Sequence, residues 1–236
     1  MDYRPLAGIF SAAAVLVLLG GFTARAEDDH GNGSRVCLEF TDLRMTLEQN
    51  ATDGDTEIVL FAKGQDDGLK ILRIVRPDGR TVAEYRGNRR TIGLREFALE
   101  SAEPPELERV LRSFPEGTYR FGGRTVEGDC LRGSAFLSHA IAPETEILSP
   151  GEDETVPRDE VVVSWVAIPE AEVYLVEVKN EETENALLVA VPAPMTSFEV
   201  PASWLEPGVE HQVVVGVRTP SGNITNVESA FFAAAE

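Results

Sequence analysis

Apolar and polar residues alternate along most of this chain, and alternation with a period of two predicts β-strands. Val161, Val163 and Trp165 fall on one face of such a strand. Tyr174, Val176 and Val178 fall on another, and His211, Val213, Val215 and Val217 on a third. In the first half, Leu38 to Leu47 and Glu57 to Ala62 have the apolar content of strands. Ile71 to Val75 and Thr81 to Tyr85 flank Pro77-Asp78-Gly79, which predicts a hairpin. Thr118 to Phe121 and Arg124 to Glu127 flank Gly122-Gly123, which predicts a second, tighter one, and Cys130 to His139 reads as a closing strand. Val200, Leu205 and Phe198 are placed near one end of the second-half core.

The period changes in two places. Glu106 to Phe114 follows Pro104-Pro105 and sets Leu107, Val110, Leu111 and Phe114 at i, i+3, i+4 and i+7, a short helix with one apolar face. Leu6 to Phe22 is an uncharged, mostly apolar run behind Arg4, followed by Ala24-Arg25-Ala26. Positive start, apolar middle and small-x-small end describe a secretory signal peptide over residues 1–26. The run is shorter than the roughly 20 apolar residues of a membrane span, and no later segment is long and apolar enough to be one. The expected location is therefore exported, periplasmic or extracellular, with no membrane span after cleavage.

These elements divide the remainder into a flexible acidic arm at 27–34, a mostly-β domain at 35–140, and a second domain at 141–236. Pro143, Pro150 and Pro157 and the turn Gly151-Glu-Asp-Glu154 mark a short, stiff boundary. Cys37 and Cys130 are the only cysteines. In an exported chain their one intramolecular pairing closes most of the first domain. A free reactive thiol is the alternative.

The second half resembles a fibronectin type III domain. The resemblance covers about residues 144–234 and rests on the Val161–Trp165 strand, the Tyr174–Val178 strand, and Leu205-Glu-Pro-Gly208 running into His211–Val215. It implies a sandwich of two sheets. The predicted class is all-β, two β-sandwich domains, the first with one short helix and the second fibronectin type III-like. Where that family carries a tyrosine three residues after the Pro-Gly turn, this chain has His211, a group that titrates near neutrality unless the fold holds it. No Arg-Gly-Asp motif is present; the corresponding loop is Thr219-Pro-Ser-Gly-Asn223.

Charge narrows the partners. Without residues 1–26 the chain holds 19 basic and 39 acidic residues, a net charge of −20. Residues 27–140 carry 16 basic against 21 acidic, and residues 141–236 carry 3 against 18. Such a field disfavours nucleic acid and anionic lipid. Within it, Arg86, Arg89, Arg90, Arg95, Arg120, Arg124 and Arg132 form a local basic group. They are placed to clasp the acidic second domain, to bind an anionic polysaccharide, or simply to balance nearby acids. Leu175, Val214, Phe231 and Phe232 are candidates for an exposed apolar contact patch.

Signals for chemistry are weak. The nucleophile-elbow, zinc-protease, phosphate-loop and paired C-x-x-C motifs are all missing, and His30, His139 and His211 are scattered. No catalytic residue, metal site or cofactor is assigned. Asp53-Gly54-Asp55 with Glu57, and Glu152-Asp153-Glu154 with Asp159 and Glu160, offer oxygen ligands for Ca²⁺, but the bland expectation is solvated turns. Asn50-Ala-Thr52 and Asn223-Ile-Thr225 match the glycosylation triplet. The leading expectation is a non-catalytic exported interaction module that binds an unknown protein or polysaccharide. The alternatives are a hydrolase or accessory module for envelope polymers, with its site in the first domain, and an assembly factor that adds a strand to its client.

Overall fold

In the computed structural model, residues 37–88, 92–103 and 106–235 are described. The expected signal segment 1–26, the expected arm 27–34, Arg89 and Arg90 lie outside them. Residues 34–236 form one compact unit.

The first half builds strands β1 (Leu38–Glu39), β2 (Asp42–Asn50), β3 (Thr56–Lys63), β4 (Leu69–Val75), β5 (Thr81–Arg86) and β6 (Glu96–Glu100). Helix α1 (Leu107–Ser113), β7 (Gly117–Thr125) and β8 (Cys130–Leu137) complete it. One sheet has the order β1-β8-β7-β4-β5, and the facing layer is β2-β3-β6. Alternation sends Leu47, Ile58, Leu72, Ile74, Tyr119 and Leu137 into a common core. The helix contributes Val110 to it, so α1 packs on the sandwich as an added flap.

The predicted hairpin at Gly122-Gly123 is corrected. Strand β7 runs straight through both glycines, and the reversal comes at residues 126–129, where Gly128 has φ +100. Gly123 is a close-approach residue: a Cβ there would stand 2.9 Å from Leu69 Cδ2 and 3.2 Å from both the Ile71 carbonyl oxygen and Phe40 Cζ. Its neighbour Gly122 points outward into open space. The pair serves packing within a strand, a use of glycine that looks the same in sequence as a turn.

The second half builds β9 (Ile147–Ser149), β10 (Glu154–Val156), β11 (Val162–Trp165), β12 (Val173–Asn180), β13 (Ala186–Pro192), β14 (Ser197–Glu199), β15 (Glu210–Arg218) and β16 (Ile224–Ala233). The sheet β14-β11-β9 faces β13-β12-β15-β16, and β10 pairs with β16. Three strands over four, in this order, is the fibronectin type III arrangement. Trp165 and Tyr174 sit at its centre with ring centroids 5.2 Å apart, and the tyrosine hydroxyl accepts a hydrogen bond from the Ile168 amide at 2.7 Å. The protein is all-β, with two sandwiches and one short helix.

The sandwiches do not hang from a tether. Strands β16 and β2 pair in parallel, with Ile224, Thr225 and Asn226 beside Glu48, Gln49 and Asn50. One continuous eight-stranded sheet therefore crosses both halves. Asn223, fully buried, ties the seam together. Its Oδ1 accepts the Leu47 amide at 3.0 Å, and its Nδ2 donates to the Ser138 and Ala140 carbonyls at 2.9 and 2.7 Å. Beside it, Thr225 Oγ1 donates to the Ala142 carbonyl at 2.6 Å, and Asn50 Nδ2 donates to Glu228 Oε1 at 2.8 Å. Both glycosylation triplets thus begin at asparagines whose amides are buried and engaged in this seam.

Candidate functional site

The outward face of the β1-β8-β7-β4-β5 sheet gathers arginines from two hairpins, β4-β5 and β7-β8. Strand pairing sets Arg86 beside Ile71, and Ile71 beside Arg124, which in turn faces Cys130. In the next row Glu84, Arg73, Gly122, Arg132 and Glu39 stand side by side. The row beyond holds Val75, Arg120 and Ser134, and at the end of the face Phe136 is 58% exposed. Strands lie about 4.8 Å apart and successive outward rows about 7 Å apart, so five guanidinium groups share one small, nearly flat grid. Gly122 in the middle keeps that grid open at the backbone.

Two acids lie within the rows. Glu84 pairs with Arg86 and, at 4.0 Å, with Arg73, whose guanidinium also reaches Thr81 Oγ1 at 2.8 Å. Arg124 donates to the Gly128 carbonyl at 2.9 Å. Among the described residues, Arg120 and Arg132 have no ion pair, and both are exposed. These two are the groups with donors to offer. The structure thus brings Arg86, Arg120, Arg124 and Arg132 together. Arg95 is directed away, to Asp66 at 2.8 Å. Arg73 was missed in the sequence, although the Leu69–Val75 alternation places it opposite Leu72 and Ile74.

The other outer face of the first sandwich has the opposite sign. Glu48 and Glu57 are directly paired across β2 and β3, and Glu100 sits one strand further, opposite Val59. Glu57 is only 7% exposed and its Oε2 has no hydrogen-bond partner. Burial, then Glu48, Glu100 and Glu103, push its carboxyl up to about 8. Burial raises Glu48 as well, against a hydrogen bond from Thr46, and Glu228 moves the same way. Arg44, a cation that acts on Glu48, lies over the Phe61 ring at 4.3 Å.

The folded state holds a proton on Glu57 that the unfolded chain releases above about pH 4.5. Its contribution to stability is therefore greatest below that pH, declines as pH rises toward 8, and then levels off. Glu57→Gln is expected to raise the folding free energy by about 3 kcal/mol at pH 7 and by almost nothing near pH 4. Urea titrations of both proteins at several pH values check this.

The acidic turns considered for Ca²⁺ accept backbone amides, two within the turns and one from β16. Asp53 Oδ1 accepts the Asp55 amide at 3.1 Å, Glu154 Oε2 the Gly151 amide at 2.8 Å, and Glu152 Oε2 the Ala230 amide at 3.0 Å. Among the described residues no three His, Cys, Asp or Glu side chains are grouped to share a metal.

The expected apolar patch is redistributed. Phe231 is fully buried and stacks on His211 at 5.5 Å, so it is a core residue and presents nothing to a partner. Phe232 takes the outward position, half-buried opposite Glu210. Val214 is 5% exposed, flanked across the strands by Glu177 and Glu228. Leu175 is half-buried beside Gly216. Leu175, Val214 and Phe232 do share the outward face, but charged neighbours break their continuity.

His211 replaces the corner tyrosine as a satisfied core residue. Nδ1 donates to the Val209 carbonyl at 3.0 Å and Nε2 accepts the Glu206 amide at 3.3 Å, an arrangement that uses the neutral ring. Burial lowers its pKa, in agreement with that tautomer. Cys37 and Cys130 form the disulfide, with 93 residues of separation and no free cysteine left.

Fold and faces together define an all-β protein of two fused sandwiches, the second fibronectin type III-like, with an arginine face and a glutamate face on the first. No family model and no curated protein matches the chain. It is similar to the solved FN1–FN3 domains of chicken contactin (CNTN1), at 11% identity and a TM-score of 0.36, covering 84% of this chain and 65% of that one. It is also similar to a two-domain fibronectin type III segment of chicken tenascin, at 13% identity and a TM-score of 0.31, covering 82% and 99%. A third similar structure is from a bacterial ice-binding adhesin, at 15% identity and a TM-score of 0.28, covering 85% and 66%. The chain thus spans just under two thirds of the contactin structure. No helix of the described residues is long and apolar enough to cross a membrane.

Proposed function

We propose that this chain is a non-catalytic, exported interaction module whose arginine face binds an anionic partner, a protein or a glycan. The observation that carries this is the segregation of charge. A chain of net charge −19 gathers five arginines on one outer sheet face, with Glu84 and Glu39 as the acids in their rows. Guanidinium groups match carboxylate and sulfate oxygens in bidentate geometry. Their fixed spacing on strands lowers the ordering cost of binding a repeating ligand. The Cys37–Cys130 disulfide supports an oxidising destination. The acidic remainder of the molecule opposes long nucleic acid.

Binding to polygalacturonate, heparin and neutral dextran, compared at about 50 and 150 mM salt, tests this. Wild type is expected to bind an acidic polymer and not dextran. Affinity should fall with salt, and by tenfold or more in Arg120→Glu/Arg132→Glu, whose exposed positions leave folding intact. Equal binding by the variant would refute the assignment of this face. Release of new reducing ends from either polymer would favour the hydrolase instead.

A further inference from the structure

Among the described residues, strand β13 is a free edge of the eight-stranded sheet, and its sequence Ala186-Leu-Leu-Val-Ala-Val-Pro192 carries no charge and ends in one proline. Exposed edges are normally blunted by charge, proline or shortness. The edge strand β6 follows that practice, since antiparallel self-pairing about Ala98 would set Glu96 against Glu100. Edge strand β5 carries Glu84 and Arg86, and β1 has only two residues. Among the edge strands longer than three residues, β13 alone lacks a charged side chain.

We propose that β13 is a joint between two copies of this chain, pairing antiparallel about a two-fold axis through Leu188. That register is the one that uses every outward amide of the strand. The Asn180 amide bonds to the Asn185 carbonyl at 2.9 Å, and hydrogen-bonded pairs alternate along an antiparallel ladder. With β12 opposite Ala186 through Pro192 in regular register, the outward amides are therefore those of Ala186, Leu188 and Ala190. The next outward position is Pro192, which has no amide to offer. A two-fold at Leu188 pairs Ala186 with Ala190, Leu188 with itself and Leu187 with Val189, and needs nothing from Pro192.

The same register resolves the charge on either side. The acidic turn Glu181, Glu182 and Glu184 comes alongside the uncharged Pro192–Met195 stretch of the other copy, where Met195 is 54% exposed. No two acids of these segments are opposed. Two like-charged copies still repel at long range, so association strengthens as salt screens them. An isologous contact of this kind closes on itself and stops at two.

Four variants of the full chain test the joint by sedimentation and by crosslinking. Wild type at about 100 µM is expected to show a dimer that gains strength between 20 and 300 mM salt. Leu188→Lys sets like charges against each other on the axis, and Ala190→Pro removes an outward amide without touching the β12 ladder. Each is expected to weaken dimerisation at least tenfold with melting temperature unchanged. Leu188→Cys is the only thiol in the chain and meets itself at about 5.5 Å between Cα atoms, within disulfide reach, so mild oxidation gives a covalent dimer. Wild type that stays monomeric at high salt, variants that dimerise as wild type does, or an Ala190→Cys protein that crosslinks to itself as readily as Leu188→Cys would each overturn the proposal.

Discussion

Asn223→Ala is expected to lower the folding free energy by about 3–5 kcal/mol and to split one unfolding transition into two. The magnitude follows from the groups it strands. The Leu47 amide loses its partner at a buried position, and the Ser138 and Ala140 carbonyls lose theirs at part-buried ones. Each buried polar group left unpaired costs about 1–3 kcal/mol, reduced where water enters. The split follows from where those groups lie. Leu47 is in β2, Ser138 and Ala140 lead out of the first sandwich, and Asn223 opens β16 of the second. Once the knot is gone, the two cores are coupled by the three-residue β2–β16 register and the bonds beside it, Thr225 to Ala142 and Asn50 to Glu228. Equilibrium urea unfolding, followed by Trp165 and Trp204 fluorescence and by far-ultraviolet circular dichroism, reads both effects. Coincident transitions in the variant would show that the sheet itself suffices to couple the halves.

The second large effect concerns the Cys37–Cys130 crosslink. Its 93-residue separation is long enough that Cys37→Ser/Cys130→Ser should cost about 4–5 kcal/mol through the freedom returned to the unfolded chain. Strand β1 is most exposed to the loss, because it pairs with β8 over only two residues, Leu38 with Leu131 and Glu39 with Arg132. Denaturation of the variant and of wild type in reductant should agree. A difference below about 1 kcal/mol would mean that the reduced unfolded state keeps residual structure, or that strain in the bond offsets its benefit.

Much of the fold was legible because strand alternation is a local signal. Val161, Val163 and Trp165, Tyr174, Val176 and Val178, and His211, Val213, Val215 and Val217 all point inward as their spacing predicts. The helix behind Pro104-Pro105 formed where its apolar face required. What stayed hidden depends on partners distant in sequence. Gly122-Gly123 reads as a turn until Leu69, Ile71 and Phe40 are seen against Gly123. Asn223 reads as a surface triplet until Ser138 and Leu47 arrive from the other half. Consecutive phenylalanines show that one of Phe231 and Phe232 faces out, but not which; pairing with His211 decides it. The basic group was visible as a count, yet its shape came from register. Sheet pairing recruited Arg73, left Arg95 with Asp66, and brought Arg120 beside Ser134 on the same face.

The disulfide also decides how this module answers a pull. Tension entering ahead of Cys37 and leaving after Ala235 crosses directly to Cys130, whose Cα lies 4.8 Å away, and bypasses every residue between them. Strands β1 to β7, with Arg73, Arg86, Arg120 and Arg124, then lie outside the covalent load path, whereas Arg132 on β8 lies in it. Reduction would place that whole loop in series and release about 300 Å of slack, turning a short stiff link into a long extensible one.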